Sequence, residues 1–370
     1  MMGMREFEKP ISGQMIERSL LELPEQRAGY SDRTAWLMAV MSQLAYFEFE
    51  NRRTVAKLAE DLARLGGDAG KIAAYLQGQL GNSFAAGPES GREFLAHILG
   101  LARFELVKLF DVGDTQAFLA RRGKLAENDR GMLVLAFRGT EKSLQDWKTD
   151  LRAKLVPARD ERKPGLIHQG FQESYYSLEA QIEAELANFP GEPVYLTGHS
   201  LGGALAVVAT RFLDAGNLAA CYTFGSPRVG NLALAREFKT PIYRIVNAAD
   251  AVPRLPFGEG YALLMRGLRS ALFMLPLIPV LRRLYGYMDR IAGYTHYGDE
   301  RYLTVAEPGV NDTYPELELI PNPGFFLRLE RFAKRVGRTG GKGLIRDHAI
   351  GIYRAKLRAR AISRSYRHGN

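Results

Sequence analysis

The chain has 370 residues, a formal net charge of +9, and 46% hydrophobic against 25% charged residues. That length and balance suit one large folded domain with a substantial core, and they exclude collagen-like, low-complexity and disordered chains. A single cysteine, Cys221, leaves no internal disulfide and no zinc-knuckle spacing, so the disulfide-stapled secreted class is excluded too.

The opening MMGMREFEKPISG holds Arg5, Glu6, Glu8 and Lys9 without an apolar core, so no Sec signal peptide is expected. Residues 1–103 read as a helical extension packed on the core. In SDRTAWLMAVMSQLAYFEF, Ser31 or Asp32 caps a run with helical spacing, and TVAKLAEDLARL and GREFLAHILGL repeat that pattern. Strands follow: FELVKLFDV, TQAFLARRG, then MLVLAFRG, whose continuous apolar character predicts burial on both faces. A helix is expected over Gln169–Phe189, and PVYLTG is the next buried strand. The small-residue helix LGGALAVVATRFL follows it, and AACYTFG and PIYRIVN are further strands. Strands alternating with helices predict an α/β fold with a mostly parallel central sheet and helices on both faces.

The strand PVYLT runs into Gly198-His199-Ser200-Leu201-Gly202 and then straight into a helix. A GxSxG pentapeptide is weak alone; the strand–turn–helix context strengthens it. The glycines permit a sharp turn with close neighbouring backbone, and Ser200 would stand at a helix N-terminus that favours developing negative charge. A serine hydroxyl needs an oriented base to become a nucleophile. Asp250 ends PIYRIVNAAD at a strand's C-terminal edge, where an α/β sheet assembles its site. The order Ser, Asp, His leaves three histidines beyond residue 250: His296, His348 and His368. His168, at a strand–helix turn, and His97, in an N-terminal helix, read as structural, and His199 fills the variable position of the pentapeptide.

Six segments occur in an order that resembles the class 3 lipases, the fungal-type triacylglycerol lipases and their bacterial relatives. They are AFRGT (Ala136–Thr140), LQDWKTDL (Leu144–Leu151), IHQGF (Ile167–Phe171), LTGHSLGGALA (Leu196–Ala206), TFGSPRVGN (Thr223–Asn231) and NAADAVPRLP (Asn247–Pro256). The resemblance covers roughly residues 104–353 and implies an α/β-hydrolase catalytic domain. By position it implies Ser200 as nucleophile, Asp250 as triad acid and His348, in the DH before a C-terminal helix, as base. His296 in THYGDE matches a structural segment. Thr140 and Leu201 match the two oxyanion donors. The implied chemistry is hydrolysis of lipid carboxylic esters through an acyl-enzyme, with no metal or organic cofactor. Phospholipase A1 or monoacylglycerol lipase activity is the alternative within the class; a silent lipid- or partner-binding protein on the same fold is the alternative outside it.

The resemblance also makes residues 141–159, with Trp147 and Leu151, a lid over the site. This sequence departs from the family at an insertion, residues 257–293. There Arg266, Arg269, Arg282, Arg283 and Arg290 flank an apolar middle that includes Leu272 and Phe273. That composition suits a second lid, a segment lying among lipid headgroups or a helical hairpin packed on the domain. The apolar run Ala271–Leu281 is too short to span a bilayer and contains Pro276 and Pro279. From Gly324 to Asn370 there are thirteen Lys or Arg against Glu330 and Asp347, so the net positive charge lies there and the rest of the chain is near neutral. Residues 354–370 read as a basic C-terminal tail. Together with residues 263–290 it suggests peripheral contact with an anionic membrane, and no nucleic acid is expected. The expected location is cytoplasmic or peripheral to a membrane, with export by a signal-free route open.

Overall fold

The computed structural model describes residues 29–47, 91–124, 129–139, 155–159, 165–213, 216–256, 293–310 and 313–368. In chain order these form α1 (Asp32–Leu44), α2 (Gly91–Leu101), β1 (Glu105–Val112), β2 (Thr115–Arg122), β3 (Met132–Phe137), β4 (Leu155–Pro157), β5 (Leu166–His168) and α3 (Gln169–Leu186). They continue with β6 (Val194–His199), α4 (Leu201–Phe212), β7 (Leu218–Phe224), α5 (Leu232–Ala235), β8 (Ile242–Asn247), a 3-10 turn (Val252–Arg254), β9 (Asp299–Leu303) and β10 (Leu319–Pro321). Three helices end the series: α6 (Phe325–Thr339), α7 (Lys342–Arg346) and α8 (Ile350–His368).

Eight strands form one sheet in the order β1-β2-β3-β6-β7-β8-β9-β10. The five central strands, β3 to β9 in that order, run parallel, and antiparallel strands close both edges. Every residue of β3 and of β6 is buried, as near-continuous apolar strands must be when both faces are covered. Alternation divides β3 between two cores: Met132, Val134 and Ala136 face α1 and α8, while Leu133, Leu135 and Phe137 face α3 and α4. The small residues of Leu201–Ala206 let α4 lie close on the sheet. This is the α/β-hydrolase fold expected above.

The N-terminal segment is less peripheral than an extension. Twelve of the thirteen residues of α1 are buried, and Trp36, Leu37 and Met38 are fully enclosed. A helix that is apolar on all sides belongs inside the protein, and α1 fills the space between the sheet and α8. Ser31 caps it, accepting from Thr34 N–H at 3.4 Å. Ser42 Oγ lies 2.8 Å from Thr197 Oγ1 in the middle of β6. The helix expected over residues 54–65 falls outside the described residues.

The C-terminal residues differ from a tail as well. Residues 350–368 are one helix, with Tyr353, Leu357 and Ala361 buried. Its cations are used internally: Arg354 donates to Gln43 Oε1, Lys356 to Asn247 and the Thr304 carbonyl, and Arg360 and Arg364 to Asp32. The cations at 354, 356 and 360 of this helix thus supply partners to groups buried under it, while Arg364 keeps 58% of its side chain exposed.

Candidate active site

The turn from β6 into α4 forces Ser200 to φ +62° and ψ −130°. A side chain held there costs on the order of 1–3 kcal/mol, which the surrounding structure must offset. Its N–H donates to the Phe224 carbonyl of β7 at 2.9 Å, fixing the turn against the neighbouring strand. The flanking glycines are required sterically: a Cβ at Gly198 would fall on the Gly202 carbonyl, and one at Gly202 on the Phe137 carbonyl. Ser200 is thereby raised at the C-terminal edge of the sheet with its side chain still 97% shielded.

Asp250 lies three residues past β8 and is fully buried. Its Oδ1 accepts from Val252 N–H at 2.9 Å, its own N–H donates to the Asn247 carbonyl at 2.9 Å, and the Tyr353 hydroxyl donates to Oδ2. Burial, and next the Asp250 charge, hold the Tyr353 phenol well above its ordinary pKa, so it remains a donor. His348 lies between α7 and α8. Its Nδ1 stands 3.0 and 2.9 Å from the two Asp250 oxygens, and its Nε2 stands 2.9 Å from Ser200 Oγ. With Nδ1–H donating to the carboxylate, Nε2 is left to accept the serine proton. Gly225, at φ +57°, lies directly against this pair: a Cβ there would be 2.5 Å from Asp250 Oδ2 and 3.0 Å from His348 Nδ1.

A further network fixes the acid loop to the base loop. Asp347, next to His348, accepts from Ala249 N–H, next to Asp250, at 3.1 Å. Arg335 of α6 holds the same carboxylate at 3.0 and 3.2 Å. Asn247 Nδ2 donates to the Asp347 carbonyl at 2.8 Å, and its Oδ1 accepts from Lys356 Nζ at 2.7 Å. Sequence reading missed Gly225, Asp347, Asn247, Lys356 and Tyr353. Gly225, Asn247 and Asp347 stood inside quoted motifs without being singled out, and no spacing rule marks Lys356 or Tyr353.

Of the three histidines left open by residue order, His348 alone approaches Ser200 among those whose side chains are described. His296 instead has Nε2 2.6 Å from the Pro253 carbonyl, and burial, then Arg244 and Arg228, push its pKa well down. A neutral imidazole donating to a carbonyl braces the loop that follows Asp250. His168 caps α3, its Nδ1 accepting from Phe171 N–H at 3.3 Å. As the first residue of α4, Leu201 has an N–H with no intrahelical acceptor. Thr140, Trp147, Leu151, Leu272, Phe273 and the insertion up to residue 292 lie outside the described residues. Among the described residues no group of three or more His, Cys, Asp or Glu is placed to hold a metal, and no helix is long and apolar enough to cross a membrane.

A serine on a strained strand-to-helix turn, a histidine in contact with it and a buried aspartate behind the histidine define the α/β-hydrolase class of Ser–His–Asp proteins. Residues 134–260 match the model of the Lipase (class 3) family. It is 34% identical over 158 residues to a lipase of Rhizomucor miehei, covering 39% of this chain and 41% of that protein. It is 40% identical over 138 residues to secreted mono- and diacylglycerol lipase 1 of Fusarium solani, covering 35% and 41%. Phospholipase A1-II 1 of Oryza sativa subsp. indica is 32% identical over 155 residues, covering 34% and 39%. The chain therefore spans about two-fifths of the length of the curated relatives it matches.

Proposed function

We propose that this protein hydrolyses carboxylic ester bonds of acylglycerol lipids, with Ser200 as nucleophile, His348 as general base and acid, and Asp250 as the group that orients it. The observation that carries the reading is the unbroken hydrogen-bonded chain from Ser200 Oγ through His348 to Asp250. His348 Nε2 takes the serine proton as Oγ attacks the ester carbonyl, and Asp250 stabilises the imidazolium that forms. The Leu201 N–H, together with Thr140, meets the oxyanion; one such donor lowers the barrier by roughly 2.7–4 kcal/mol. His348 then protonates the departing alcohol, and water repeats the sequence on the acyl-enzyme. Every proton moves between groups of this chain, the ester and water.

The Fusarium relative's name supports mono- and diacylglycerols as substrates, and the rice relative's name supports phospholipids as the second reading. Peripheral membrane contact belongs to the same proposal. It is supported by the exposed apolar side chains of α6, Phe326 (83% exposed) and Leu329 (47%), and by the exposed cations Arg338, at the far end of α6, and Lys342, in α7.

The test is a fluorophosphonate probe, which should label the wild type and leave Ser200→Ala unlabelled. Equal labelling of both overturns the assignment of the nucleophile. A series of p-nitrophenyl esters of increasing chain length, run beside phospholipid vesicles, separates acylglycerol from phospholipid chemistry. A rate greatest at the shortest chains, with no rise at an interface, counts against a lipid substrate.

A further inference from the structure

His199 precedes the nucleophile, and strand alternation turns its side chain to the face of the sheet covered by α1 and α8. It is enclosed there by three rings: His348 with centroids 4.5 Å apart, Tyr46 at 5.8 Å and Tyr353 at 6.1 Å. Its Nε2 lies 2.7 Å from the main-chain carbonyl of His348, and its Nδ1 lies 2.8 Å from the Tyr46 hydroxyl. A carbonyl oxygen only accepts, so Nε2 carries the proton. Burial, and next the neighbouring His348, push the pKa of His199 well down and keep the ring neutral, so Nδ1 accepts and Tyr46 donates. One proton arrangement satisfies the whole chain: Tyr46 O–H to His199 Nδ1, then His199 Nε2–H to the His348 carbonyl.

The same tyrosine abuts the other side of the site. A Cβ at Gly139 would collide with the Tyr46 hydroxyl and lie 2.7 Å from the His199 carbonyl. Beside it, Arg138 reaches the Phe47 carbonyl at 3.4 Å and Gln116 Oε1 at 2.7 Å. The end of α1 is thus in contact both with the turn leading to Thr140 and with the support of His348. Tyr46 lies far outside the segment that matches the family, residues 134–260.

We infer that Tyr46 and His199 are positioning residues: a two-residue brace, from the residue just past the end of α1 through the last residue of β6, that holds the main chain of His348. Asp250 fixes the imidazole through Nδ1, and the brace fixes the backbone that carries it; both are required to keep Nε2 in reach of Ser200. A misplacement of about 1 Å in a reacting group costs about 10²-fold in rate, so the brace acts on turnover and not on substrate affinity. The neutrality of His199 matters during turnover too, because a second cation 4.5 Å from the imidazolium would oppose its formation.

The inference rests on the hydrolase reading, and its test separates the two. Wild type, Tyr46→Phe, His199→Leu and His199→Gln are compared by kcat and KM on p-nitrophenyl butyrate, by the rate of fluorophosphonate labelling, and by circular dichroism at the assay temperature. His199→Leu should lose about 10²-fold and Tyr46→Phe about 10-fold in kcat, with KM within about twofold and labelling slowed in parallel. His199→Gln, whose amide can still donate to the His348 carbonyl, should recover most of the loss. A wild type that fails to label sinks the hydrolase reading. If the wild type labels, the brace is overturned by a folded Tyr46→Phe with wild-type kcat, or by His199→Gln no better than His199→Leu.

Discussion

Ser200 holds a backbone conformation that a side chain rarely adopts, and the residues around it are chosen to tolerate that. Gly225 is the sharpest instance, because its missing Cβ is the space in which Asp250 and His348 meet. Gly225→Ala should therefore push the acid from the base. We expect kcat on a soluble ester to fall by more than about 10²-fold while the protein still folds, as read by urea denaturation. Unchanged kinetics would mean that the pair has slack the geometry does not suggest. The two histidines give a paired prediction. His348→Ala should cost more than about 10⁴-fold in kcat. His296→Ala should leave the folded protein active within a few-fold and lower stability by about 1–3 kcal/mol, because the Pro253 carbonyl loses its donor. Ser200 and Asp250 were legible because a GxSxG turn and an acid at a strand end are local patterns. The base was not: residue order left three histidines, and the resemblance chose among them. Tyr46 and His199 were illegible for a plainer reason, since they meet across about 150 residues of chain and no pattern spans that distance.

At the scale of elements, periodicity identified most helices and strands but not their depth. The run AWLMAVMSQL announced a helix, and its place ahead of the motif-bearing part of the chain made it read as part of an extension packed on the core. What fixes its place is the complement on the other elements: Thr197 in β6 offers a hydroxyl to Ser42, Gln43 meets Arg354, and Asp32 is met by both Arg360 and Arg364. None of these partners is near in sequence. If α1 is part of the central packing, truncating its fully buried Trp36 must destabilise the entire fold. Trp36→Ala is expected to lower unfolding stability by about 3–5 kcal/mol in a single transition shared by far-UV and near-UV circular dichroism. A separate early transition, with the main one unmoved, would return α1 to the status of an appendage.

For the whole molecule, the +9 net charge first reads as a surface property, yet the fold turns part of it inward. Lys356 is the clearest case, 98% shielded from solvent beneath Asn247 and the Thr304 carbonyl. Burial lowers its pKa from 10.5 to about 8; Asp347 partly opposes the shift, and Arg335 reinforces it. The unfolded chain then binds more protons than the folded one between those two values, so this group makes folding more favourable as pH rises through the window. Below about 8 the ammonium is charged in both states and its burial cost is constant; above about 10.5 the amine is neutral in both and the gain is complete. The full span corresponds to about 3 kcal/mol. The measurement is the urea stability of wild type relative to Lys356→Met at pH 7 and at pH 10, which cancels the titration of groups common to both proteins. The difference should move in favour of the wild type at the higher pH. A difference that is flat, or that moves the other way, would mean that the ammonium is stabilised by Asn247 and Thr304 as well as it is in water, and that α8 carries its charge into the core without penalty.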